Sequence, residues 1–425
     1  MAKIIILTIF FITYFLIITG SFKRSLIAFA MGLLACFTHL SDSLTISNIG
    51  SYVDFNTIGI LIGMMVLVGI LKSTGLFEYI AAIVVKSSRG NLYRIYLTLL
   101  VAVALFSSLL DNVTTILLFA PVAFLIADTA NIPSTPMIFS MVFAANIGGM
   151  ATIIGDPPNI LVGSASGTGF VGFLAIMILP SIAMLVLTIV YFRFRYPGLR
   201  HIEEAKAQRL LSIDPGRAIV DRKLFFKGVA VFLGVIAGFV LHSELHLEAS
   251  LVALSGATLI MILAKRDFQQ VSSEIEWDTL FFFVGLFMLA RALEDVGVIS
   301  DIANALVRMS SSPFILILSI LWLSALIGGF IGAVPVVTVF IPVVQQLVPV
   351  VPHGRELWWA LALGACIGGN LTISGAAANM VGVGLLESNT GSRIRFLSFL
   401  KEGVAITALG LGVATLYLGM RWLMV

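Results

Sequence analysis

Of the 425 residues, 59% are hydrophobic and only 11% are charged, too few charged residues for the water-facing surface of a soluble protein. The formal net charge of +3 comes from basic residues in short loops between apolar runs, which excludes nucleic acid as a partner. Apolar runs of about 20 residues, enough to cross a lipid bilayer, recur along the chain, so the sequence predicts an all-α polytopic membrane protein.

The first predicted membrane helix covers residues 1–20. Its apolar run is long and another apolar span follows at once, which distinguishes it from a signal peptide. Further along, the apolar run 95–127 is interrupted at 107–108 (Ser-Ser) and again at 111–115 (Asp-Asn-Val-Thr-Thr). The interruption predicts either a re-entrant hairpin or a broken helix, and the sequence leaves that choice open.

A second interruption lies in the apolar segment 137–165. Residues 146–159 read Asn-Ile-Gly-Gly-Met-Ala-Thr-Ile-Ile-Gly-Asp-Pro-Pro-Asn. In a bilayer, backbone polar groups outside a helix are tolerated only around a protein-enclosed or water-lined site. We therefore expect a broken helix here, and expect the functional site to lie at the break.

Residues 196–225 form a predicted connector. The stretch from Arg193 to Lys227 holds nine Lys or Arg residues and the turn sequence Asp-Pro-Gly at 214–216. Basic residues are enriched in cytoplasmic loops, so we expect the connector to be cytoplasmic.

The chain is a tandem duplication. Residues 366–379 (Cys-Ile-Gly-Gly-Asn-Leu-Thr-Ile-Ser-Gly-Ala-Ala-Ala-Asn) repeat the interruption at 146–159, and 276–279 repeat 54–57. The predicted units are a first half at 1–195 and a second half at 226–425, with a second hairpin at 314–347 and a second broken helix at 357–385.

Equivalent loops carry opposite Lys/Arg bias, which predicts that the halves are inverted in the membrane. Residues 39–54 hold no Lys or Arg, whereas the matching loop of the second half holds Lys265 and Arg266. With five crossings in each half, we expect about ten transmembrane helices, two re-entrant hairpins and two broken helices. Both termini are then extracytoplasmic.

Two aspartates are the predicted proton-coupling residues. Asp111 and Asp156 lie in the two interruptions, and a charged group at membrane depth costs ~2.5–3.5 kcal/mol on insertion scales, so it is usually functional. The alternative is that each carboxylate caps the helix that starts after it.

Neutral groups that both donate and accept hydrogen bonds suit a small hydroxylated solute or a partly dehydrated cation. The predicted substrate-binding residues are Asn112, Thr114, Thr115, Asn146, Thr152, Asn159, Asn370, Thr372, Ser374 and Asn379. Alternatively, these side chains only satisfy backbone groups freed by the breaks. The glycines expected to open the backbone at the breaks are Gly148, Gly149, Gly155, Gly368, Gly369 and Gly375.

The second half departs from the first at its ionisable positions. Ala376 stands where Asp156 would be, and Gly332 where Asp111 would be, which confines the predicted proton chemistry to the first half. Cys366 occupies the position of Asn146, as a core cysteine or as a thiol near the site. The five histidines lack metal-ligand spacing, and we expect neither a metal nor a cofactor.

The segments 111–115, 148–159 and 369–379 together resemble the ion-transporter superfamily of arsenite permeases, NhaD-type sodium/proton antiporters, P-protein-like proteins and dicarboxylate carriers. The second-repeat segment is similar to the arsenite permease/NhaD branch. The resemblance implies an inverted-repeat transporter whose substrate lies between hairpin tips and helix breaks near mid-membrane. It also implies an Asp-Asn pair in the second hairpin, which this chain lacks.

The sequence thus predicts a secondary transporter of the inner (plasma) membrane that exports arsenite or antimonite in exchange for protons. The alternative is a sodium/proton antiporter. No GxxxxGK[ST] motif occurs, so the chain is not itself an ATPase, although a separate soluble ATPase partner stays open. An intramembrane aspartyl protease is disfavoured, because Ile153 replaces the first glycine of the Gly-x-Gly-Asp pattern.

Overall fold

The computed structural model is helical throughout the part of the chain that it describes. The described residues are 1–19, 22–40, 43–88, 91–200, 215–309 and 312–424. Residues 201–214 of the predicted connector lie outside them.

Ten α-helices precede the connector and ten follow it in the described ranges. The first ten are α1 (Ala2–Thr19), α2 (Arg24–Phe37), α3 (Ile49–Tyr52), α4 (Phe55–Lys72), α5 (Leu76–Ser87), α6 (Leu92–Ser107), α7 (Asn112–Ala130), α8 (Ser134–Gly149), α9 (Pro157–Ser166) and α10 (Phe170–Arg195). The next ten are α11 (Arg222–Leu241), α12 (Ala249–Ala264), α13 (Phe268–Val271), α14 (Trp277–Asp295), α15 (Val298–Met309), α16 (Pro313–Ile331), α17 (Ala333–Leu347), α18 (Glu356–Gly368), α19 (Ala377–Thr390) and α20 (Phe396–Met424). The two sets match in number and order, as the predicted duplication requires.

Six of these helices are long and apolar enough to cross a bilayer, or seven if the bent pair α12 and α13 forms one span; the count covers the described ranges alone. The six are α4, α7, α10, α11, α16 and α20. The fold is therefore that of a polytopic membrane protein. The finer count of about ten crossings stays a prediction that depends on the shorter apolar helices.

Polar caps and left-handed residues set the ends of several helices. The Asp54 carboxylate accepts the backbone N–H groups of Asn56 and Thr57 at the start of α4. Asn131 (φ 57°) ends α7 and Gly167 (φ 65°) ends α9, so both helices stop in the left-handed conformation.

Two helix pairs cross between the halves in a reciprocal way. Helix α2 packs along α14, and its counterpart α12 packs along α4. Gly285 lies against the backbone of Ala28, and the equivalent Gly63 lies against the backbone of Ala253, because the absence of a Cβ atom lets the helices touch. These two pairs, α2 with α14 and α4 with α12, are called the frame helices below.

Helices α8 and α18 lie at the centre of the molecule. All residues of α8 from 136 to 149 are buried, and so is the whole of α18. A helix that is apolar all round belongs in the core. Helix α8 packs on α6, α7 and α19, while α18 packs on α16, α17 and α9, so each helix break lies where the two halves meet.

Candidate substrate cavity

The break between α8 and α9 is held by an asparagine amide. Asn159 Nδ2 donates to the carbonyl oxygens of Gly149 (3.1 Å), Met150 (3.2 Å) and Thr152 (3.0 Å). These carbonyls have no helical partner because the helix stops at Gly149. The side chain therefore replaces the missing backbone hydrogen bonds.

The second break is held in the same way. Asn379 Nδ2 donates to the carbonyl oxygens of Gly369 and Thr372, each at 2.7 Å. Asn370 Nδ2 donates to the carbonyls of Cys366 and Ile367, both at 3.3 Å. Both breaks are thus closed by amide groups of their own half.

Hydroxyl groups tie each break to the neighbouring turn between helices. Thr152 Oγ1 donates to the carbonyl of Ser108 and accepts the N–H of Gly155 at 3.1 Å. In the second half, Thr372 Oγ1 donates to the carbonyl of Gly329 at 2.6 Å. The turn and the break of each half are therefore one connected unit.

The turn between α6 and α7 places Asp111 as the cap of α7. The Asp111 carboxylate accepts the Thr114 N–H at 2.8 Å, and the Thr115 hydroxyl donates to the backbone carbonyl of Asp111 at 2.9 Å. One carboxylate oxygen of Asp111 thus acts as the helix cap that the alternative interpretation predicts. Asn112, with its amide oriented to suit its neighbours, donates to the carbonyls of Ala145 (3.1 Å) and Gly155 (3.0 Å).

Three hydrogen bonds join the halves at the breaks. Asn146 Nδ2 donates to Asn379 Oδ1 at 2.8 Å and to Asn370 Oδ1 at 3.1 Å. The equivalent residue of the second half, Cys366, donates to Asn159 Oδ1 at 3.2 Å. Asn146 Oδ1 is buried and has no hydrogen-bond partner among the described residues.

A cavity of about 160 Å³ lies between the breaks and the frame helices. Six of the predicted polar and backbone positions line it, together with Asp156. The six are Asp111, Asn112, Asn146, Gly369, Ser374 and Gly375. A larger hollow of about 650 Å³ between α11 and α12 contains none of the predicted site residues, so the smaller cavity is the candidate site.

Asp156 differs from Asp111 in its bonding. Its carboxylate makes no capping hydrogen bond to α9, although the residue stands directly before that helix. It is half-buried and lies beside the Cys366 thiol and the Asn112 amide. The capping alternative therefore does not describe Asp156, whose carboxyl group is left to face the cavity.

The remaining predicted binding residues do not line this cavity. They are Thr114, Thr115, Thr152, Asn159, Asn370, Thr372 and Asn379. Except for the Thr114 hydroxyl, their polar side-chain groups make the backbone and inter-half bonds described above. In this structure they agree with the alternative in which polar side chains satisfy backbone groups that the helix breaks leave without partners.

Among the predicted glycines, Gly148 and Gly368 serve helix packing. A Cβ atom on Gly148 would collide with the backbone of Ala104 in α6, and one on Gly368 with the backbone of Ala325 in α16. The first glycine of the pair in each break therefore lets the central helix touch its neighbour directly. Gly149 and Gly155 approach each other across the first break.

Two charged residues of the cavity were missed by the sequence reasoning. Arg24, at the start of α2, is half-buried in the cavity wall, and Glu276, before α14, is exposed at its rim. The described residues offer Arg24 no hydrogen-bond or ion-pair partner; the nearby Asp278 bonds to Lys23 and Ser25 instead. The sequence marked Glu276 in one way, because the duplication pairs it with Asp54.

Besides α2 and α14, four helices that follow the turns and the breaks begin at the cavity, namely α7, α9, α17 and α19. Of these four, the first two follow an aspartate, whereas α17 and α19 follow Gly332 and Ala376 and have no side-chain cap. Gly332 has φ 103°, a conformation that would strain an aspartate in its place. The turn and break of the first half thus place two carboxyl groups at the cavity, whereas those of the second half place uncapped, positively polarised helix ends there.

The family model for CitMHS citrate transporters matches residues 14–364. The chain belongs to this family. It is 38% identical to an uncharacterized transporter of Mycobacterium tuberculosis, over 99% of both chains. It is 30% identical to the P protein of Homo sapiens over 95% of this chain and 58% of the P protein.

The fold is also similar to a solved structure. The crystal structure of the Alcanivorax borkumensis YdaH transporter aligns with a TM-score of 0.60, at 17% identity, over 91% of this chain and 88% of that chain. The family and the relatives confirm a multi-pass membrane transporter of the ion-transporter superfamily rather than an enzyme. The arsenite permease/NhaD branch stays a prediction.

Proposed function

We propose that the chain is a secondary transporter of the plasma membrane that exchanges a small inorganic solute for protons. The observation that carries this proposal is the uncapped Asp156 carboxyl group, which faces a cavity between two helix breaks. A carboxyl group in such a position usually marks a solute or proton pathway. Its neighbours there, Cys366 and Asn112, are both uncharged.

Exchange follows if solute and proton compete for one cavity. The loaded form and the protonated form then move between inward and outward states, while the empty, charged form does not. Asp156 is the proposed proton carrier, and Asp111, with one oxygen engaged as a cap, is the second candidate.

The proposed solute is trivalent arsenite or antimonite as its neutral hydroxide. Asn146 Oδ1 is a buried acceptor without a partner, and a hydroxyl group of the solute would supply the missing donor. The Cys366 thiol lines the same cavity, which favours a thiophilic metalloid. Asn112 and Ser374 complete the proposed neutral lining.

A carboxylate is the second candidate solute. Arg24 brings an unpaired cation to the cavity, and the uncapped ends of α17 and α19 also favour an anion. The description of the family as citrate transporters agrees with such a substrate. Sodium/proton exchange is the remaining alternative, in which Asp111 and Asp156 would bind the cation.

We also propose that the connector is cytoplasmic and both termini are extracytoplasmic. Under this orientation Lys23, Arg24 and Glu276 lie toward the cytoplasm. The cavity rim at Glu276 then opens inward, as a solute exporter requires before loading.

Everted membrane vesicles with a proton gradient test the proposal. A pH-sensitive dye is followed while antimonite, citrate or sodium is added in turn. Dissipation of the proton gradient by antimonite alone supports metalloid export. Dissipation by citrate alone or by sodium alone would identify that solute as the transported one instead. A dependence on added ATP would instead indicate an ATPase partner, and silence to all three would contradict proton exchange.

A further inference from the structure

The two halves use the carboxylate before their fourth helix differently. Asp54 accepts the N–H groups of Asn56 (3.0 Å) and Thr57 (3.2 Å), so its charge is engaged by the start of α4. Glu276 occupies the equivalent place before α14 but makes no cap to the backbone. Its carboxylate accepts only the hydroxyl of Thr279, at 2.9 Å.

Glu276 lines the cavity that holds Asp111 and Asp156, and Thr279 lines it as well. It is exposed to solvent, whereas both aspartates are half-buried. The charge of Asp111 acts electrostatically on both Glu276 and Asp156. The three carboxyl groups therefore form a series from the rim of the cavity to the helix break.

We propose that Glu276 is the outermost group of a carboxyl relay that passes protons from Asp156 through Asp111 to the cytoplasmic side of the cavity. The inference rests on the proposed proton-coupled function and assigns a second-half residue to it. A carboxyl group at the rim exchanges protons with bulk water faster than a half-buried one, and successive carboxyl groups in one water-accessible cavity shorten each transfer.

The transfer conserves protons and charge at each step. The O–H bond of protonated Asp156 breaks, and the proton binds the Asp111 carboxylate through cavity water. Asp111 then releases its proton to the Glu276 carboxylate in the same way. Glu276 releases the proton to bulk water, so the net result is one proton moved from Asp156 to solvent.

The charges around Glu276 are those of three elements. Arg24 faces the cavity from the start of α2, Asp111 from the turn before α7, and Asp278 lies on the same helix, held by Lys23. Partial burial of the Glu276 carboxyl group against the cavity wall, followed by the charge of Asp111, raises the pKa of Glu276. The raised pKa lets Glu276 hold a proton closer to neutral pH, as an intermediate acceptor in a relay requires.

Glu276→Gln tests the relay, with Glu274→Gln as the matched control. Glu274 lies two residues earlier and its side chain packs at Gly69 of α4, outside the cavity. Solute-driven proton flux is measured in proteoliposomes between pH 6 and pH 8. Glu276→Gln is expected to slow the flux about tenfold at pH 8 and by less than about twofold at pH 6, where a smaller fraction of Glu276 is ionised and able to accept the proton.

Glu274→Gln is expected to keep the wild-type profile. Wild-type flux across the whole pH range in Glu276→Gln would overturn the relay and leave the proposed function intact. Absence of proton flux in the unaltered protein with antimonite, citrate and sodium would instead overturn the proposed function. Normal flux of Glu276→Gln at pH 6 also shows that the variant is folded.

Discussion

Replacing Asn379 by alanine tests whether the break asparagines are structural locks or solute ligands. The side chain donates to two carbonyls at 2.7 Å and accepts from Asn146 at 2.8 Å, and it is fully buried. The variant therefore loses three hydrogen bonds inside the protein. Both carbonyls belong to a break where the helix supplies no substitute partner.

The expected cost follows from the number of bonds. Hydrogen bonds between membrane helices average about 0.6 kcal/mol, which gives about 2 kcal/mol for three. If the carbonyls stay unsatisfied, each costs about 1–3 kcal/mol instead, so 2 kcal/mol is the lower bound. A loss of about 2 kcal/mol lowers the Tm by about 4–8 °C in a domain of 150–250 residues, the size of each predicted half of this chain.

Thermal unfolding in detergent, followed by size-exclusion chromatography, measures this loss. The Tm of Asn159→Ala should fall by a similar amount, because this variant also loses hydrogen bonds to carbonyl groups of a helix break. Asn304→Ala, which removes an exposed amide from α15, should keep the wild-type Tm. An Asn379→Ala variant with wild-type Tm but no transport would refute the structural role of Asn379 and indicate that it binds the solute.

Three further predictions concern the frame and the cavity. Gly285→Leu should prevent α14 from packing on α2 and sharply reduce folded protein, measured by monodisperse yield in detergent; wild-type yield would contradict the packing. With Cys36 replaced by serine, a small maleimide should label Cys366 more slowly in the presence of the transported solute, and labelling unaffected by saturating solute would place it outside the binding site. Arg24→Gln should reduce citrate uptake at least about tenfold if the solute is a carboxylate, and should leave antimonite transport within about twofold.

Much of the break chemistry could be predicted from the sequence because it is local. Paired glycines followed by a hydroxyl residue cannot continue an apolar helix without help, and α8 ends at Gly149 as α18 ends at Gly368. The class of the protein could be predicted as well, since apolar runs of membrane length leave few alternatives to a helical membrane protein. The comparisons confirm that class, while the inverted arrangement and the site assignments stay predictions.

The direction of individual side chains could not be predicted. Asn159 and Asn379 have the composition of ligands, yet their amides are used by carbonyls up to ten residues away. Arg24 and Glu276 reach the cavity only because α2 packs along α14, a contact between residues more than 200 positions apart. No local pattern contains that information.

The central claim is that Asp156 exchanges the coupling proton for solute. The direct measurement uses purified protein in proteoliposomes, with solute flux and internal pH recorded together for the wild type and Asp156→Asn. The account predicts that the wild type moves protons against solute, while Asp156→Asn moves no coupled protons and loses the pH dependence of transport. Proton movement and pH dependence in Asp156→Asn equal to those of the wild type would contradict it.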